Sequence, residues 1–382
     1  MALLLLFGFL VLQWLHWAVN RLLLNRMDFQ GQIKEFKKGF DKELETYFSK
    51  TIKEVARKDL QTAELLVLTH DIALAGGKRL RPFLAFNAYC LLGGKDEKAM
   101  MRTAVAIELL HLFFLVHDDI IDRSDLRHAV ASVHAAYAKK NLRMLGKEES
   151  LHLGNSMGIV AGDLLFSLAN SIVSGSVFTG DVKCKLLAYM QQVAVETIIG
   201  QVQDISLEHS RSVKEKDVVS MYENKTAKYT FQWPLWAGAI ATENEDEKLQ
   251  KAISEYAVSI GIAFQIQDDL LGLFGQEKKT GKPADCDIKE GKRTLVVIKA
   301  LETADSKQKK TLKRLLGKKD LSKKEANEFR DIIKVTGARQ YADNLVREQI
   351  AKAKKIAGKI VGYPELREFL LGVADFLEKR EM

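Results

Sequence analysis

From residue 27 to the end of the chain, apolar residues recur with a period near 3.6, the spacing that gives a helix one buried stripe. Long helical patterns cover residues 212–242, with a break or kink expected at Pro234, and residues 326–359. In LSKKE, Ser322 reads as an N-cap with Glu325 three residues on, the signature of a capping box. Alternating strand patterns bounded by turns are missing, and no fixed repeat or low-complexity linker interrupts the helices. The longest polar interruption is GQEKKTGKPADCDIKEGK, residues 275–292. Its three glycines, one proline and five lysines predict a loop. A loop of that length inside a compact domain predicts a functional segment. The pattern predicts one all-α domain over residues 27–382.

The first 26 residues follow another pattern. ALLLLFGFLVLQWLHWAV, residues 2–19, is a mostly apolar run. As a helix it spans about 27 Å, against a hydrocarbon core of about 30 Å. Trp14 and Trp17 sit near one end, and Arg21 and Arg26 follow, which keeps the large domain cytoplasmic if the run spans a membrane. Gln13 and His16 weaken that reading. There is no basic leader or small-residue cleavage site, so the run is a poor secretory signal. Two readings stand: an N-terminal membrane anchor, which is preferred, or an extension arising from an upstream start, with Met27 opening the soluble sequence.

Composition narrows the picture. With 382 residues, 47% of them hydrophobic, the chain can bury a large core. Only four prolines occur, which suits long helices. Cys90, Cys184 and Cys286 are far apart, fit no metal spacing and read as reduced cytosolic thiols. The formal charge of +8 admits nucleic acid, an anionic membrane or a phosphorylated substrate as partner. The densest basic stretch, residues 307–319, lacks aromatic interleaving and any nucleic-acid motif. It reads as a solvated helix face, and no nucleic-acid partner is expected.

The candidate chemistry lies in acids that end apolar helices. In ELLHLFFLVHDDIID, Asp118 and Asp122 are four apart, about 40° in azimuth and one turn along the axis, with Asp119 flanking them. Three carboxylates this close repel one another unless a cation neutralises them, and hard oxygen ligands suit Mg²⁺ bridging to phosphate. FQIQDDLLG repeats the design with Asp268 and Asp269. Two such ends could clamp a diphosphate through magnesium and stabilise it as a leaving group. GGKRLRP, before them, offers Lys78 and Arg81 to one anion, and His111 lies seven residues before Asp118 on nearly the same face. Taken with the two cations, His111 points to a second phosphate site.

The ordered set GGKRLRP, ELLHLFFLVHDDIID, KTA (Lys225, Thr226, Ala227), FQIQDDLLG, GKP and EGKRT resembles the trans-isoprenyl diphosphate synthases, over nearly the whole chain from residue 27. The resemblance implies an isoprenoid-synthase-type helical bundle around a central cavity, usually a homodimer, that joins isopentenyl diphosphate to an allylic diphosphate head to tail. It implies about three Mg²⁺ ions, with Asp118, Asp119, Asp122 and Asp268 as ligands and Asp269 nearby. Arg127, Lys225 and Lys282 would contact the allylic diphosphate, and Lys78, Arg81 and His111 the other diphosphate. Thr226 and Gln265 would lie beside the allylic carbons and Gln201 would line the same cavity. The chemistry implied is ionisation of the allylic diphosphate, attack by the isopentenyl double bond, and proton loss to the released diphosphate, in a dry site with both substrates aligned.

Two departures stand out. Family members usually follow the first acidic motif with two arginines, a glycine and, two residues later, a proline; here His128, Ala129 and Ala131 replace the second arginine, the glycine and the proline. His128 is then expected to bind isopentenyl diphosphate more weakly, improving below about pH 6.5 as it protonates. The second acidic motif ends in Gly272 in place of an acid. A weakly active or regulatory subunit is the alternative these changes raise. A class I terpene cyclase is less favoured, because it has no need of GGKRLRP and its late magnesium motif is not found. Phe113 and Phe114 sit where bulk floors the product tunnel in the family, and the expected product is C15 farnesyl diphosphate, with C20 geranylgeranyl diphosphate next.

Overall fold

Helices in this chain start where short acceptors close the first turn. Asp28, Asp59, Asp96 and Asp246 each accept from backbone N–H groups two or three residues on, at 2.6–3.1 Å. The start expected at Ser322 is a capping box: Glu325 N donates to Ser322 Oγ, and Ser322 N donates to Glu325 Oε2 at 3.0 Å.

The computed structural model describes residues 28–210, 212–275 and 285–379; the proposed anchor at residues 1–26 and Lys282 lie outside them. In chain order come α1 (Phe29–Ala56), α2 (Leu60–Ala75), α3 (Leu80–Leu91) and α4 (Glu97–Ile121). A hairpin follows, β1 (Leu126–Arg127) and β2 (Val130–Ala131), then α5 (Val133–Leu145), α6 (Lys147–Ser174), α7 (Gly180–His209) and α8 (Glu215–Tyr222). A π-helical segment (Glu223–Gln232) leads into α9 (Trp233–Ala241) and α10 (Glu247–Phe274). The chain ends with α11 (Cys286–Glu290), α12 (Leu295–Thr303), α13 (Ser306–Leu315), α14 (Lys323–Val335), α15 (Ala338–Ala357) and α16 (Pro364–Glu378).

The fold is all-α, as its periodicity predicts. α6 packs between α4 and α5, α10 lies against α15 and the π segment, and α3 against α9. Two apolar cores result. One gathers Leu109, Leu110, Val116, Leu165 and Trp233 around α4 and α6; the other gathers Ile253, Ile260, Ile266, Ala342 and Ile350 around α10 and α15. Among the described residues α4, α6 and α10 are long and apolar enough to cross a membrane. α4 and α10 bury 67% and 61% of their most apolar stretch inside the fold, which accounts for their composition, whereas α6 buries 33%.

Four local expectations change. The irregularity expected at Pro234 falls just before it: α8, the π segment and α9 follow without a gap, and Trp233 N–H reaches back five residues to the Lys228 carbonyl. Proline lacks an N–H, and the wider turn takes up the lost register. Residues 326–359 divide into α14 and α15 at Gly337, which takes φ +75°. Residues 275–292 are not wholly loop, since α11 forms within them. The segment LRHAVA forms an antiparallel hairpin whose turn residues, His128 and Ala129, have φ +51° and +65°. A two-residue turn of that hand usually carries glycine or asparagine, so the sequence did not announce it.

Candidate active site

α4 buries an apolar stripe from Ala99 to Val116 and then ends in acids. A helix C-terminus carries a partial negative charge, so acids there are disfavoured by about 0.3–1 kcal/mol each unless cations compensate. Lysines do so. Lys225 Nζ lies 3.6 Å from Asp118 and 2.5 Å from Asp204 of α7, and Gln201 donates to Asp118 at 3.0 Å. Lys292 Nζ lies 3.0 Å from Asp122 and 3.3 Å from Glu290. Burial alone would discharge both ammoniums. Asp118 and Asp204 hold Lys225, and Asp122 and Asp118 hold Lys292, above the ordinary lysine value. On the same face of α7, burial and then Asp204 push the Glu208 carboxyl up to about 7.

Asp119 is turned away from this group. It is buried and paired with Arg127, whose Nε donates to Oδ1 at 3.0 Å and whose Nη2 donates to the same oxygen. The motif therefore divides, with Asp118 and Asp122 toward the lysines and Asp119 fixing Arg127. Among the described residues no three His, Cys, Asp or Glu side chains converge as a metal site on their own. The donors are carboxylate oxygens in small groups. That set fits Mg²⁺, which keeps waters and completes its shell from substrate phosphates; Asp118, Asp122 and Asp268 are the residues that would hold it.

The π segment places Lys225 and Thr226 by close approach on both sides. A β-carbon on Gly200 of α7 would lie 2.3 Å from Lys225 N, and one on Gly261 of α10 would lie 2.4 Å from Ala227 Cα. Glycine at both positions lets the segment wedge between the two helices. Thr226 then donates to Gln265 Oε1 at 2.6 Å, and Gln265 Nε2 donates to Asp269 Oδ1 at 2.9 Å. Tyr222 donates to the other Asp269 oxygen and accepts from Leu295 N at 2.9 Å. Burial pushes the Asp269 carboxyl up to about 8. Asp269 is thus a buried brace, while its neighbour Asp268 is half-buried.

A separate cavity of about 150 Å³ is lined by Lys78, Arg81, His111, Phe264, Ile33 and Phe376, among others. Arg81 donates from Nη2 to Thr230 at 2.8 Å and lies 4.1 Å over the Tyr229 ring, and its buried Nε has no partner among the described residues. Burial, then Arg81 and Arg127, hold the His111 imidazole well below the usual histidine value, so it is neutral. Burial pushes Tyr229 up to about 12. Its hydroxyl, 2.5 Å from His111 Nδ1, keeps its proton and donates, which leaves the imidazole proton on Nε2. His128 stands beside this group, its ring where a β-carbon on Gly76 would be, 2.6 Å from Cγ. Arg79 also borders the cavity, but its guanidinium is taken up by Glu108 and Asp41, to which it donates at 2.7 Å each.

One turn below Asp118 lies an aromatic layer. Phe113 packs on Phe114, His117 and Phe166 at 4.7, 4.9 and 5.2 Å between ring centres, and Phe114 meets Tyr229 edge-on at 5.3 Å. The residues that sequence reasoning passed over are Asp204, Glu208, Tyr222, Tyr229, Arg79 and Lys292. Asp204 and Glu208 carried a faint signal, following Gln201 at helical spacing. Lys292 lay inside EGKRT without a role.

An all-helical fold that gathers acids at helix ends, beside a small cationic cavity, defines a class of diphosphate-handling helical enzyme. The family pattern described as Polyprenyl synthetase matches residues 63–333. A short chain isoprenyl diphosphate synthase of Methanocaldococcus jannaschii is 35% identical over 78% of this chain and 85% of its own. A geranylgeranyl diphosphate synthase of Saccharolobus solfataricus is 34% identical over 78% and 83%. A crystal structure of geranylgeranyl pyrophosphate synthase from Corynebacterium glutamicum, complexed with isoprenyl diphosphate and magnesium, matches with a TM-score of 0.85 and 28% identity, over 91% of this chain and 99% of that one. The chain belongs to the polyprenyl synthetase family, and it is a prenyltransferase that elongates prenyl diphosphates. The family's substrates are isopentenyl diphosphate and an allylic diphosphate, and its chemistry is Mg²⁺-dependent.

Proposed function

We propose that the chain builds a C20 product, geranylgeranyl diphosphate, from isopentenyl and allylic diphosphates. One observation carries the reading of the site: two anion sites of opposite design meet along the π segment. At one, Asp118 and Asp122, set against Lys225 and Lys292, could take a metal; at the other, Lys78, Arg81 and the Nε2 proton of His111 can meet phosphate directly. Mg²⁺, about three ions by analogy with the family, would neutralise the allylic diphosphate and make it a leaving group. Lys225, beside Asp118, would contact the diphosphate, and Arg127 would back the site from Asp119. The C1–O bond of the allylic substrate breaks, its cation is attacked by the double bond of isopentenyl diphosphate, and the released diphosphate takes the proton. Thr226 and Gln265, locked together, would present fixed dipoles to the cation, while Phe113, Phe114 and Tyr229 exclude water.

The C15 product expected from Phe113 and Phe114 finds no support in the relatives, whose names point to longer chains. Half-exposed and packed sideways on Phe166 and Tyr229, the two rings fit a wall as well as a floor. The exposed apolar residues of α6 and α7, including Ile159, Val160, Val195, Ile198, Ile199 and Val202, support a homodimer. We further propose that residues 1–26 anchor a cytoplasmic domain to the membrane; recovery of the full chain in the soluble fraction would count against the anchor. The function is tested by incubating the protein with isopentenyl diphosphate, Mg²⁺ and, in turn, C5, C10 and C15 allylic diphosphates, then chromatographing the dephosphorylated products. C20 from all three is expected. A stop at C15 overturns the length, and no elongation returns the reading to a regulatory subunit.

A further inference from the structure

The second acidic motif ends in Gly272, four residues after Asp268, where the first motif has Asp122 four residues after Asp118. The space at position 272 is not empty. A β-carbon built on Gly272 would lie 1.9 Å from Asp287 Oδ2 and 2.8 Å from Asp287 Cγ. The Asp287 carboxylate therefore stands where a side chain at position 272 would begin. Residues four apart on a helix have β-carbons about 5–6 Å apart on one face. The Asp287 carboxylate is thus about one turn from Asp268 along that face, the relation that Asp122 has to Asp118.

Asp287 reaches this place from α11, and the fold holds it there. Arg330 of α14 donates from Nε to the Leu273 carbonyl at 2.5 Å and from Nη2 to Asp285, tying the start of α11 to the end of α10. Gly291 N and Lys292 N both donate to the Asp287 carbonyl, at 3.1 and 3.0 Å. The Lys292 ammonium then continues to Asp122 at 3.0 Å. One short segment thereby serves both acidic ends, with a carboxylate toward α10 and an ammonium toward α4.

We propose that Asp287 is the third acid of the second motif, joining Asp268 in holding a divalent cation and, through it, the diphosphate. The proposal rests on the reading of this site as a magnesium–diphosphate site. It also explains Gly272. With Asp287 in this position a side chain at 272 would meet its carboxylate, so glycine at 272 leaves the carboxylate room to stand there.

The test uses the full-length protein and inorganic diphosphate, titrated calorimetrically at graded Mg²⁺. Asp287→Asn keeps the shape of the side chain and removes its charge. It should raise the Mg²⁺ concentration for half-maximal diphosphate binding about tenfold or more, with the Tm of the free protein unchanged. Gly272→Asp combined with Asp287→Gly should bring the Mg²⁺ requirement back to within about threefold of the wild type. An unchanged Mg²⁺ requirement in Asp287→Asn overturns the proposal. So does weaker binding that is independent of Mg²⁺, a lowered Tm in both variants, or a folded double variant that recovers nothing. Wild-type protein that binds no diphosphate at any Mg²⁺ concentration would instead overturn the reading of the site.

Discussion

Arg79 lies between Lys78 and the proposed phosphate ligand Arg81, yet its replacement should damage the fold rather than substrate binding. Its side chain is 2% exposed, with Nη1 2.7 Å from Glu108, Nε 2.7 Å from Asp41, and Nη2 on the Ala73 carbonyl. Glu108 is also buried, at 4% exposure, whereas Asp41 at 27% can return to water. Arg79→Ala would leave the Glu108 charge buried without its partner. Removing one member of a buried pair costs about 3–5 kcal/mol. For the roughly 340 described residues at about 2.1 cal/mol/K each, the unfolding entropy is about 0.7 kcal/mol/K, so Tm should fall by about 4–7 °C. Arg81→Ala is the comparison: Arg81 has one hydrogen bond, to Thr230, and an unpartnered Nε. It should shift Tm by less than about 2 °C and raise KM for isopentenyl diphosphate. The assay is differential scanning calorimetry on both variants with steady-state kinetics at saturating allylic substrate. Arg79→Ala with unchanged Tm and a raised KM would refute the division of labour within GGKRLRP.

Four further outcomes are expected. Ala129→Gly relieves a left-handed residue in the hairpin turn and should stabilise the protein by about 1 kcal/mol, read as a small rise in Tm; a fall would show that the alanine methyl is packed. Phe114→Ala should lengthen the main product, seen by chromatography, and no lengthening removes it from the tunnel floor. His128→Arg should lower KM for isopentenyl diphosphate above about pH 6.5 and flatten its pH dependence; an unchanged profile refutes a role for His128 there. Glu208, raised in the fold to about 7, is held protonated by the folded state. Its contribution is present below its ordinary value and is lost as pH rises toward 7. Glu208→Gln should therefore raise Tm at pH 8 in metal-free buffer and give no gain near pH 4.5; equal gains at both would refute the cause.

Much of this protein is written locally. The 3.6-residue period determined the all-α class, because burying one stripe of each helix is a property of the helix alone. The capping box at Ser322 was readable for the same reason. The acidic ends of α4 and α10 and the basic GGKRLRP carried the family resemblance, being short segments in a set order. Spacing along a helix, however, tells only how side chains lie about its own axis; which neighbour each one meets depends on packing. Asp118 and Asp119 are adjacent in sequence, but the first meets Lys225 and the second Arg127. Arg79 and Arg81 share one motif and border one cavity, yet the first is ion-paired to Glu108 and Asp41 while the second keeps an unpartnered Nε. The hairpin at His128 was hidden because its turn uses residues that seldom take positive φ. The gap at Gly272 is the sharpest case. In the sequence it is a missing acid; in the fold the Asp287 carboxylate, fifteen residues away, stands where a side chain at 272 would begin, and glycine leaves it that room.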